Sequence, residues 1–309
     1  MAGSPAGSPD QEAFLGELLD QGLLIASGVP GLYGHGEGFD TVLAAVDALI
    51  TRAGAPDHPE RLRFPPLLPR HDLETNNYLA SFPHLAGTIF SFDGGDAEAI
   101  EQAERAHRHD DWSTYQEITD LVLTPAACYP SYPAIAARGP LAPGGVTLDL
   151  GGSWVFRHEP SGDPARLLSF RQREMVRMAE PATVSGWRDE WRDRAAALLT
   201  SIRLDARVDV AADPFFGRSG RMLAASQRQQ ELKFEVVVSI TEPEPTAVAS
   251  FNYHQEHFTA PYGIRMADGE VAHTACLGFG LERITLALLR RHGLDRATWP
   301  DGVSRALWP

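Results

Sequence analysis

The chain has 309 residues, 43% of them hydrophobic, and a formal net charge of −14. That hydrophobic content suffices for a sizeable core, and no apolar run of about 18 residues is present to span a membrane. The acidic balance argues against a nucleic-acid-binding protein, because such proteins usually present a basic face. The start of the chain has no basic patch and no apolar export segment, and two cysteines fit a reducing compartment, so we expect a cytoplasmic protein.

The first part of the chain predicts an unstructured start followed by two amphipathic helices. Residues 1–10 are rich in Gly, Ser, Pro and Ala, which predicts a disordered tail. Apolar residues three and four apart predict a helix over 11–25, and the glycine-rich stretch 28–38 predicts a loop. A second amphipathic helix is predicted over 39–53, and the run 61–66, which ends in two prolines, follows it.

The middle of the chain mixes predicted strands and helices. Residues 87–93 predict a strand, and residues 96–107 predict a charged helix that is a solvated surface rather than a site. Residues 146–150 predict another strand. An apolar stripe predicts a helix over 188–204 that packs on a sheet, and the glycine- and arginine-rich stretch 215–226 predicts a loop.

The last part of the chain completes the prediction of fold class. Strands are predicted over 234–240 and 247–253, and a final helix over 280–292. Strands that meet in hairpins, with helices on one side, indicate an antiparallel sheet in an α+β fold. We therefore expect one domain over 11–309 after the N-terminal tail.

Charged groups cluster on a predicted long-looped hairpin. Two short strands, 154–156 and 167–170, flank the Pro-Ser-Gly-Asp-Pro loop 160–164. Arg157 and Glu159 lie two residues apart, which predicts that they share one face of the first strand.

The returning arm of this hairpin adds Arg166 and Phe170. Arginines suit phosphates, a carboxylate suits an exocyclic amine and an aromatic ring can stack on a base, so this set suits a nucleotide. An Arg-x-Glu pair taken alone is more often a surface ion pair.

The segment Gly278 to Arg283, with the sequence GFGLER, opens the last predicted helix. A dinucleotide-binding turn would have a third glycine where Arg283 stands, whereas a planar guanidinium suits a phosphate. Gly-x-Gly before a helix is common, so a plain structural turn is the alternative. The charged hairpin upstream in the same chain favours a polyphosphate site.

The two cysteines, Cys128 and Cys276, have no Cys-x-x-Cys spacing, which by itself favours buried inert thiols. Their positions indicate another role. Cys276 lies two residues before Gly278, and Glu174 lies four residues after the hairpin. A Cys, Glu and Cys set can hold zinc with one position open, the arrangement of a catalytic zinc site.

These segments resemble the class II aminoacyl-tRNA synthetases. FRHE and RLLSF around the hairpin resemble motif 2, GFGLER resembles motif 3, and the stretch 39–66 resembles motif 1. With CYPSYP, SFNYHQEHF and HTACLGFGLER, the trio Cys128, Glu174 and Cys276 resembles the zinc site of archaeal-type seryl-tRNA synthetases. It is still more similar to their small bacterial homologues, the amino acid:[carrier protein] ligases. The resemblance implies a class II catalytic domain, an antiparallel sheet flanked by helices.

The resemblance also implies roles in forming an aminoacyl adenylate from ATP. Arg157 would contact the α-phosphate and the reacting carboxylate, and Arg283 would hold the γ-phosphate. These two arginines are the implied catalytic residues. Glu159 would bind the adenine amine, Phe170 would stack on adenine, and Arg166 would assist at the β- and γ-phosphates.

Two metal ions follow from the same resemblance. Zinc on Cys128, Glu174 and Cys276 would take the amino group of the substrate, and Asn252 would line the site. His254 is open between a structural and a site role. Magnesium would bridge the phosphates, and its protein ligands stay unassigned, with Glu242 and Glu244 near the usual acidic position of the family.

The implied reaction transfers a small amino acid, such as glycine or alanine, to the phosphopantetheine thiol of a small acidic carrier protein. Arginines at 218, 221 and 228 are candidates for docking it, against the alternative of a solvated loop paired with carboxylates. Motif 1 implies a homodimer.

Three other functions stay open at this stage. The first is aminoacylation of tRNA, which we do not expect because the chain is acidic and only about 30 residues precede the resemblance, too few for a tRNA-binding domain. The second is an amide-forming small-molecule ligase that uses the same adenylate. The third is a non-enzymatic paralogue, which the intact set of site residues argues against.

Overall fold

A computed structural model describes residues 7–309. Its strands are β1 (Leu24–Ala26), β2 (Tyr33–His35), β3 (Glu60–Arg61), β4 (Leu67–Pro69), β5 (Thr88–Phe92), β6 (Gln116–Leu123), β7 (Val146–Phe156), β8 (Ser169–Ala179), β9 (Arg207–Val210), β10 (Lys233–Val238), β11 (Thr246–Gln255) and β12 (His273–Gly280). Its α-helices are α1 (Pro9–Asp20), α2 (Glu37–Gly54), α3 (Arg70–Thr75), α4 (Tyr78–Ser81), α5 (Asp96–His107), α6 (Ser131–Ala136), α7 (Pro181–Ser201), α8 (Gly217–Gln229), α9 (Leu281–His292) and α10 (Asp301–Leu307). None of these helices is both long and apolar enough to cross a membrane.

A seven-stranded sheet in the order β3-β7-β8-β12-β11-β10-β9 is the centre of the fold. All neighbouring strands in it are antiparallel except β3 and β7, which are parallel. A three-stranded sheet, β4-β6-β5, and the β1-β2 pair complete the strands. The predicted α+β fold with an antiparallel sheet flanked by helices is therefore confirmed.

Helices α2, α7 and α9, called the helical layer below, cover one face of the large sheet. Together with the sheet they form the larger hydrophobic core. Successive side chains of β12 point to opposite faces of the sheet. Leu277 and Phe279 lie in the core under the helical layer, whereas Cys276 lies in the core on the other face. The face opposite the helical layer is therefore left for the site.

The long helices follow their sequence signals. Helix α2 has acidic residues in its first turn and Arg52 in its last turn, as the helix dipole favours. Helix α7 begins with Pro181, the residue whose fixed φ suits the first helical position. Its residues Trp187, Trp191 and Ala195 are spaced four apart and are buried against the sheet.

The N-terminal predictions need three corrections. Residues 1–6 of the predicted tail lie outside the described residues, but Ser8 caps α1 and Pro9 begins it. The predicted helix 11–25 ends at Asp20, because Gly22 has a φ of +64° and turns the chain into β1. The predicted loop 28–38 contains β2, which pairs with β1.

The hairpin has longer strands than predicted. The two predicted strands 146–150 and 154–156 are one strand, β7, with a register shift between Leu150 and Ser153. The prediction that Arg157 and Glu159 share a strand face is wrong, because β7 ends at Phe156. The Glu159 N–H donates to the Arg157 carbonyl over 2.8 Å, and this tight turn leaves the strand before the proline-rich loop.

Two glycine-rich stretches were misassigned. The predicted loop 215–226 is mostly helix α8; a Cβ on its Gly220 would lie 2.6 Å from the Phe215 carbonyl oxygen, so this glycine permits close packing. The predicted turn at GFGLER is the end of strand β12, which contains Gly278 and Gly280.

Arg173 joins strand β8 to helix α2 and strand β7. It is 2% exposed on β8, and its guanidinium lies 2.6 Å from Asp47 of α2 and 2.6 Å from Asp149 of β7. Asp149 is itself 1% exposed, and Arg173 is its shortest ion pair, since Arg61 lies 3.6 Å away and is 63% exposed.

We expect Arg173→Met to destabilise the fold by about 3–5 kcal/mol, because it leaves the buried Asp149 carboxylate with only the longer pair to the exposed Arg61. The measurement is the free energy of unfolding in urea, followed by circular dichroism. Arg207→Met is the matched control, because its pair with Asp209 is on the surface and should contribute less than about 1 kcal/mol. Equal losses in the two variants would contradict this account.

Candidate active site

A cavity of about 510 Å³ lies on the sheet face opposite the helical layer. Its floor comes from β8, β12, β11 and β10, and its walls come from segments around α4, Cys128 and α8. This volume is in the range of sites for small molecules and cofactors.

The sheet register sets the order of side chains on the cavity floor. One row across the strands is Glu174, Gly278, Ser250 and Glu235, and the next is Val176, Cys276, Asn252 and Lys233. Directly paired residues lie on the same face of an antiparallel sheet. The register therefore brings Glu174, Cys276 and Asn252 together although they are far apart in sequence.

Gly278 keeps the middle of this floor open. A Cβ at this position would lie 2.8 Å from Nε2 of Gln172 and 3.3 Å from Oε1 of Glu174. Glycine is needed here for the close approach of neighbouring side chains, rather than for the turn that the sequence predicted.

Cys128, Glu174 and Cys276, called the thiol end of the cavity below, do meet. Their ligand atoms all lie within 4.8 Å of one another, and all three residues are buried. Oε2 of Glu174 has no hydrogen-bond partner, although it is buried. Two thiol sulfurs and one carboxylate oxygen are a donor set that suits zinc and leaves a fourth position for a substrate.

The pKa values at the thiol end are shifted by the neighbouring groups. A hydrogen bond from Cys128 and the charge of His254 hold the pKa of the Cys276 thiol well below its usual range, although burial opposes this. The hydrogen bond to Cys276 and burial raise the pKa of Cys128. Burial raises the pKa of Glu174, so a nearby cation would be required to favour its ionised form.

Asn252 and His254 both contact the Cys276 sulfur. Nδ2 of Asn252 lies 3.7 Å from Sγ of Cys276, and Nε2 of His254 lies 3.2 Å from it. Oδ1 of Asn252 is buried without a partner and is available to a donor on a ligand. The sequence left His254 undecided between two roles, and the structure places it beside a thiol.

Arg157, Arg283 and Phe170 form the other end of the cavity, called the arginine end below. Each guanidinium carbon lies 6.0 Å from the centre of the Phe170 ring. Arg283 donates to the carbonyls of Ala165 and Ala247, which fix its position. Burial, reinforced by Arg157 and Arg166, lowers the pKa of Arg283 to about 10, so this end favours an anion.

Glu159 and Arg166 lie on the loop between β7 and β8 and do not line the cavity. They pair with each other over 2.7 Å, and their side chains are 48% and 52% exposed. An ion pair this exposed is weak and can exchange partners.

The sequence interpretation missed three charged residues in the cavity. Asp213, Lys233 and Glu235 line it, whereas Glu242 and Glu244 are exposed and do not. The signal in the sequence was alternation, because Lys233 and Glu235 share a face of a strand predicted to begin at 234. Lys233 is also the only lysine of the chain.

The chain was compared with known proteins in sequence and in structure. No protein-family model matches the chain. Amino acid–[acyl-carrier-protein] ligases 1 and 2 of Bradyrhizobium diazoefficiens are 43% and 42% identical to it, over 304 and 301 residues. These matches cover 97% of the chain in both cases and 91% and 90% of the two relatives.

A more distant similarity is to synthetases. The type-2 serine–tRNA ligase of Methanopyrus kandleri is 29% identical over 201 residues, which are 59% of this chain and 37% of that protein. A crystal structure of M. kandleri SerRS with A. aeolicus tRNASec matches with a TM-score of 0.81 and 21% identity. It covers 99% of this chain and 61% of that one, which shows the class II synthetase fold.

Proposed function

Because the chain belongs to the amino acid–[acyl-carrier-protein] ligase family, we propose that it activates an amino acid with ATP and transfers the acyl group to a carrier protein. The observation that supports this best is that one cavity holds an arginine end for an anion and a thiol end for an amine. An aminoacyl adenylate has both groups, because its acyl group carries the amine at one end and the phosphate at the other.

ATP binds at the arginine end in this proposal. The adenine ring stacks on Phe170, the α-phosphate lies against Arg157, and Arg283 holds the γ-phosphate. Positive charge already held in place needs no rearrangement when negative charge develops on the phosphate. Glu159 and Arg166 separate, so that Glu159 binds the adenine amine and Arg166 binds the outer phosphates.

We propose that zinc is held by Cys128, Glu174 and Cys276. The unpartnered Oε2 of Glu174 and the clustering of three buried donors support this assignment. When bound, zinc supplies a Lewis acid on which the amino group of the substrate can be held. Oδ1 of Asn252 accepts a hydrogen bond from that amino group.

We propose that magnesium accompanies ATP and contacts Glu235 rather than Glu242 or Glu244. Both carboxylate oxygens of Asp213 already accept hydrogen bonds, from Lys233 and Gln227. Oε1 of Glu235 forms an ion pair with Lys233 over 2.9 Å, and no residue within 7–309 hydrogen-bonds to its other oxygen, which can therefore meet a metal or its water.

Two steps follow from this arrangement. The carboxylate of the amino acid attacks the α-phosphorus, a new O–P bond forms, and the bond to pyrophosphate breaks. A thiol sulfur of the carrier then attacks the acyl carbon, the C–O bond to AMP breaks, and the thiol proton is released to water. In both steps Arg157 holds the phosphate that gains or keeps negative charge.

The substrate is a small amino acid such as glycine or alanine in our proposal. Tyr129 and Phe258 line the cavity beside Cys128, and their rings lie 5.4 Å apart in an edge-to-face contact. Aromatic packing this close to the thiol end leaves little room for a large side chain.

The acceptor is the phosphopantetheine thiol of a small acidic carrier protein in our proposal. Arg218, Arg221 and Arg228 are exposed on α8, and none forms an ion pair with a carboxylate within residues 7–309. Leu223 of the same helix lines the cavity, so α8 lies at its mouth. The homodimer that motif 1 implies stays a prediction.

Arg157→Ala tests the activation step. We expect pyrophosphate exchange with the preferred amino acid to fall by about 10²–10³, because the variant loses one preorganised charge contact. A panel of all amino acids in wild type identifies the substrate first. Arg265→Ala, on an exposed arginine outside the cavity, should exchange at the wild-type rate. Normal exchange by the Arg157 variant would disprove its role.

Cys276→Ser tests the metal assignment. We expect loss of bound zinc by elemental analysis together with loss of amino acid activation, while ATP binding measured by calorimetry persists. The physical reason is that the ATP contacts lie at the other end of the cavity. Thr274→Val, on the same strand and equally buried, should keep zinc. A fully zinc-loaded Cys276 variant would contradict the assignment.

Reversing the charge of Arg218 and Arg221 to Glu tests the docking surface. We expect slower acylation of the carrier protein with unchanged pyrophosphate exchange, because the exposed charges guide encounter and do not reach the cavity. The reversal of Arg203 and Arg305, which are exposed elsewhere, changes net charge equally and should have a smaller effect. Equal effects in both double variants would place docking on another surface.

A further inference from the structure

Asp213, Lys233 and Glu235 form a row of charges inside the cavity. Nζ of Lys233 lies 2.7 Å from Oδ1 of Asp213 and 2.9 Å from Oε1 of Glu235. The lysine side chain is only 8% exposed, so its ammonium is nearly withdrawn from water. The proposed function assigns a role to Glu235 but leaves the lysine and Asp213 unexplained.

The row is held firmly at its Asp213 end. Nε2 of Gln227 on α8 donates to Oδ2 of Asp213 over 2.8 Å, and the Asp213 N–H donates to Oε1 of Gln227 over 2.7 Å. Burial by itself raises the pKa of Asp213, but Lys233 and Gln227 outweigh it and lower the pKa to about 2. Asp213 and Lys233 therefore stay ionised at neutral pH, and the ammonium stays in place.

The row of charges neighbours both the thiol end and the arginine end of the cavity. Lys233 pairs in register with Asn252, beside the thiol end, and Glu235 pairs with Ser250. The charge of Glu235 also acts on Arg283 at the arginine end. Charges of alternating sign thus run from Asp213 through Lys233 and Glu235 to Arg283.

A purely structural role does not explain this arrangement well. Buried ion pairs seldom stabilise a fold more than apolar residues of the same size would, because both charges must leave water. A cation bound by two carboxylates that face a polyphosphate pocket is instead the arrangement in which divalent ions are usually found. Here an ammonium that cannot dissociate occupies that position.

We propose that Lys233 is a resident cation that takes the place of a second divalent metal ion in this cavity. As a positioning residue, it keeps Glu235 directed at the one magnesium ion and offsets the carboxylate charge that would otherwise repel ATP. The inference rests on the proposed function in that it places ATP in this cavity.

The test replaces the lysine by a neutral side chain of similar length, Lys233→Met. Two carboxylates then face the gap, and we expect them to bind one additional Mn²⁺ per chain, counted by electron paramagnetic resonance without ATP or amino acid. We expect pyrophosphate exchange at low magnesium to fall by about 10-fold or more. Raising magnesium or manganese should restore most of it, because a mobile divalent ion replaces the lost ammonium.

Two further variants make the result specific. Lys233→Arg keeps the positive charge and should bind no additional Mn²⁺ and keep the low magnesium requirement. The double variant Lys233→Met with Asp213→Asn removes one carboxylate, so it should bind no additional ion and show no rescue by metal. The proposal is overturned if Lys233→Met exchanges normally at low magnesium, or binds no additional Mn²⁺ and is not rescued.

Circular dichroism checks the folding of each variant. If Lys233→Met does not fold, the double variant decides, because it leaves one unpaired carboxylate, the partly exposed Glu235, instead of two. A double variant that exchanges pyrophosphate like wild type at low magnesium would also overturn the proposal. The experiment distinguishes failure of this proposal from failure of the proposed function. In the second case the wild-type protein itself would exchange no pyrophosphate with any amino acid.

Discussion

The register between β8 and β12 is the constraint on which the rest of the site depends. It pairs Glu174 with Gly278 and Val176 with Cys276, and it extends through Ser250 to Glu235 on the next two strands. A shift of one residue would turn Cys276 into the helical layer and bring Leu277 to the cavity. The register is fixed from behind, because Leu277 and Phe279 are fully buried against α7 and its neighbours. The hydrophobic core thus specifies the chemistry on the opposite face.

The cavity gathers charges that a stable fold would otherwise avoid. Glu174 is buried and Arg283 is half-buried, and their pKa values shift towards the neutral forms because of burial. Burial of uncompensated charge costs stability, and ligands of opposite sign reverse that cost. A phosphate at Arg283 and a divalent cation at Glu174 would each do so, which explains why the same cavity suits both ends of an aminoacyl adenylate. The Asp213–Lys233–Glu235 row differs, since its charges compensate one another without a ligand.

The sequence predicted the class of fold, and seven of its candidate site residues line one cavity, but it did not predict how they are arranged. Motif spacing and periodicity were sufficient for α2, α5, α9, β10 and β11, but they predicted only the start of β8 and no strand at β12. They failed where glycine has a packing role, as at Gly220 in α8 and Gly278 in β12, because the need for close approach depends on a neighbour that is distant in sequence. Strand alternation placed Arg157 and Glu159 together, and a tight turn before Pro160 separated them. The row at Lys233 was missed since its carboxylate partner Asp213 comes from a different element.

The most direct test of the central claim offers the enzyme a labelled amino acid with three acceptors in parallel: holo-carrier protein, apo-carrier protein and total tRNA. We predict ATP-dependent label on the holo-carrier protein alone, released by thioester-cleaving hydroxylamine. Label on tRNA, equal label on the apo form that lacks the thiol, or label only in a small-molecule amide would contradict the account.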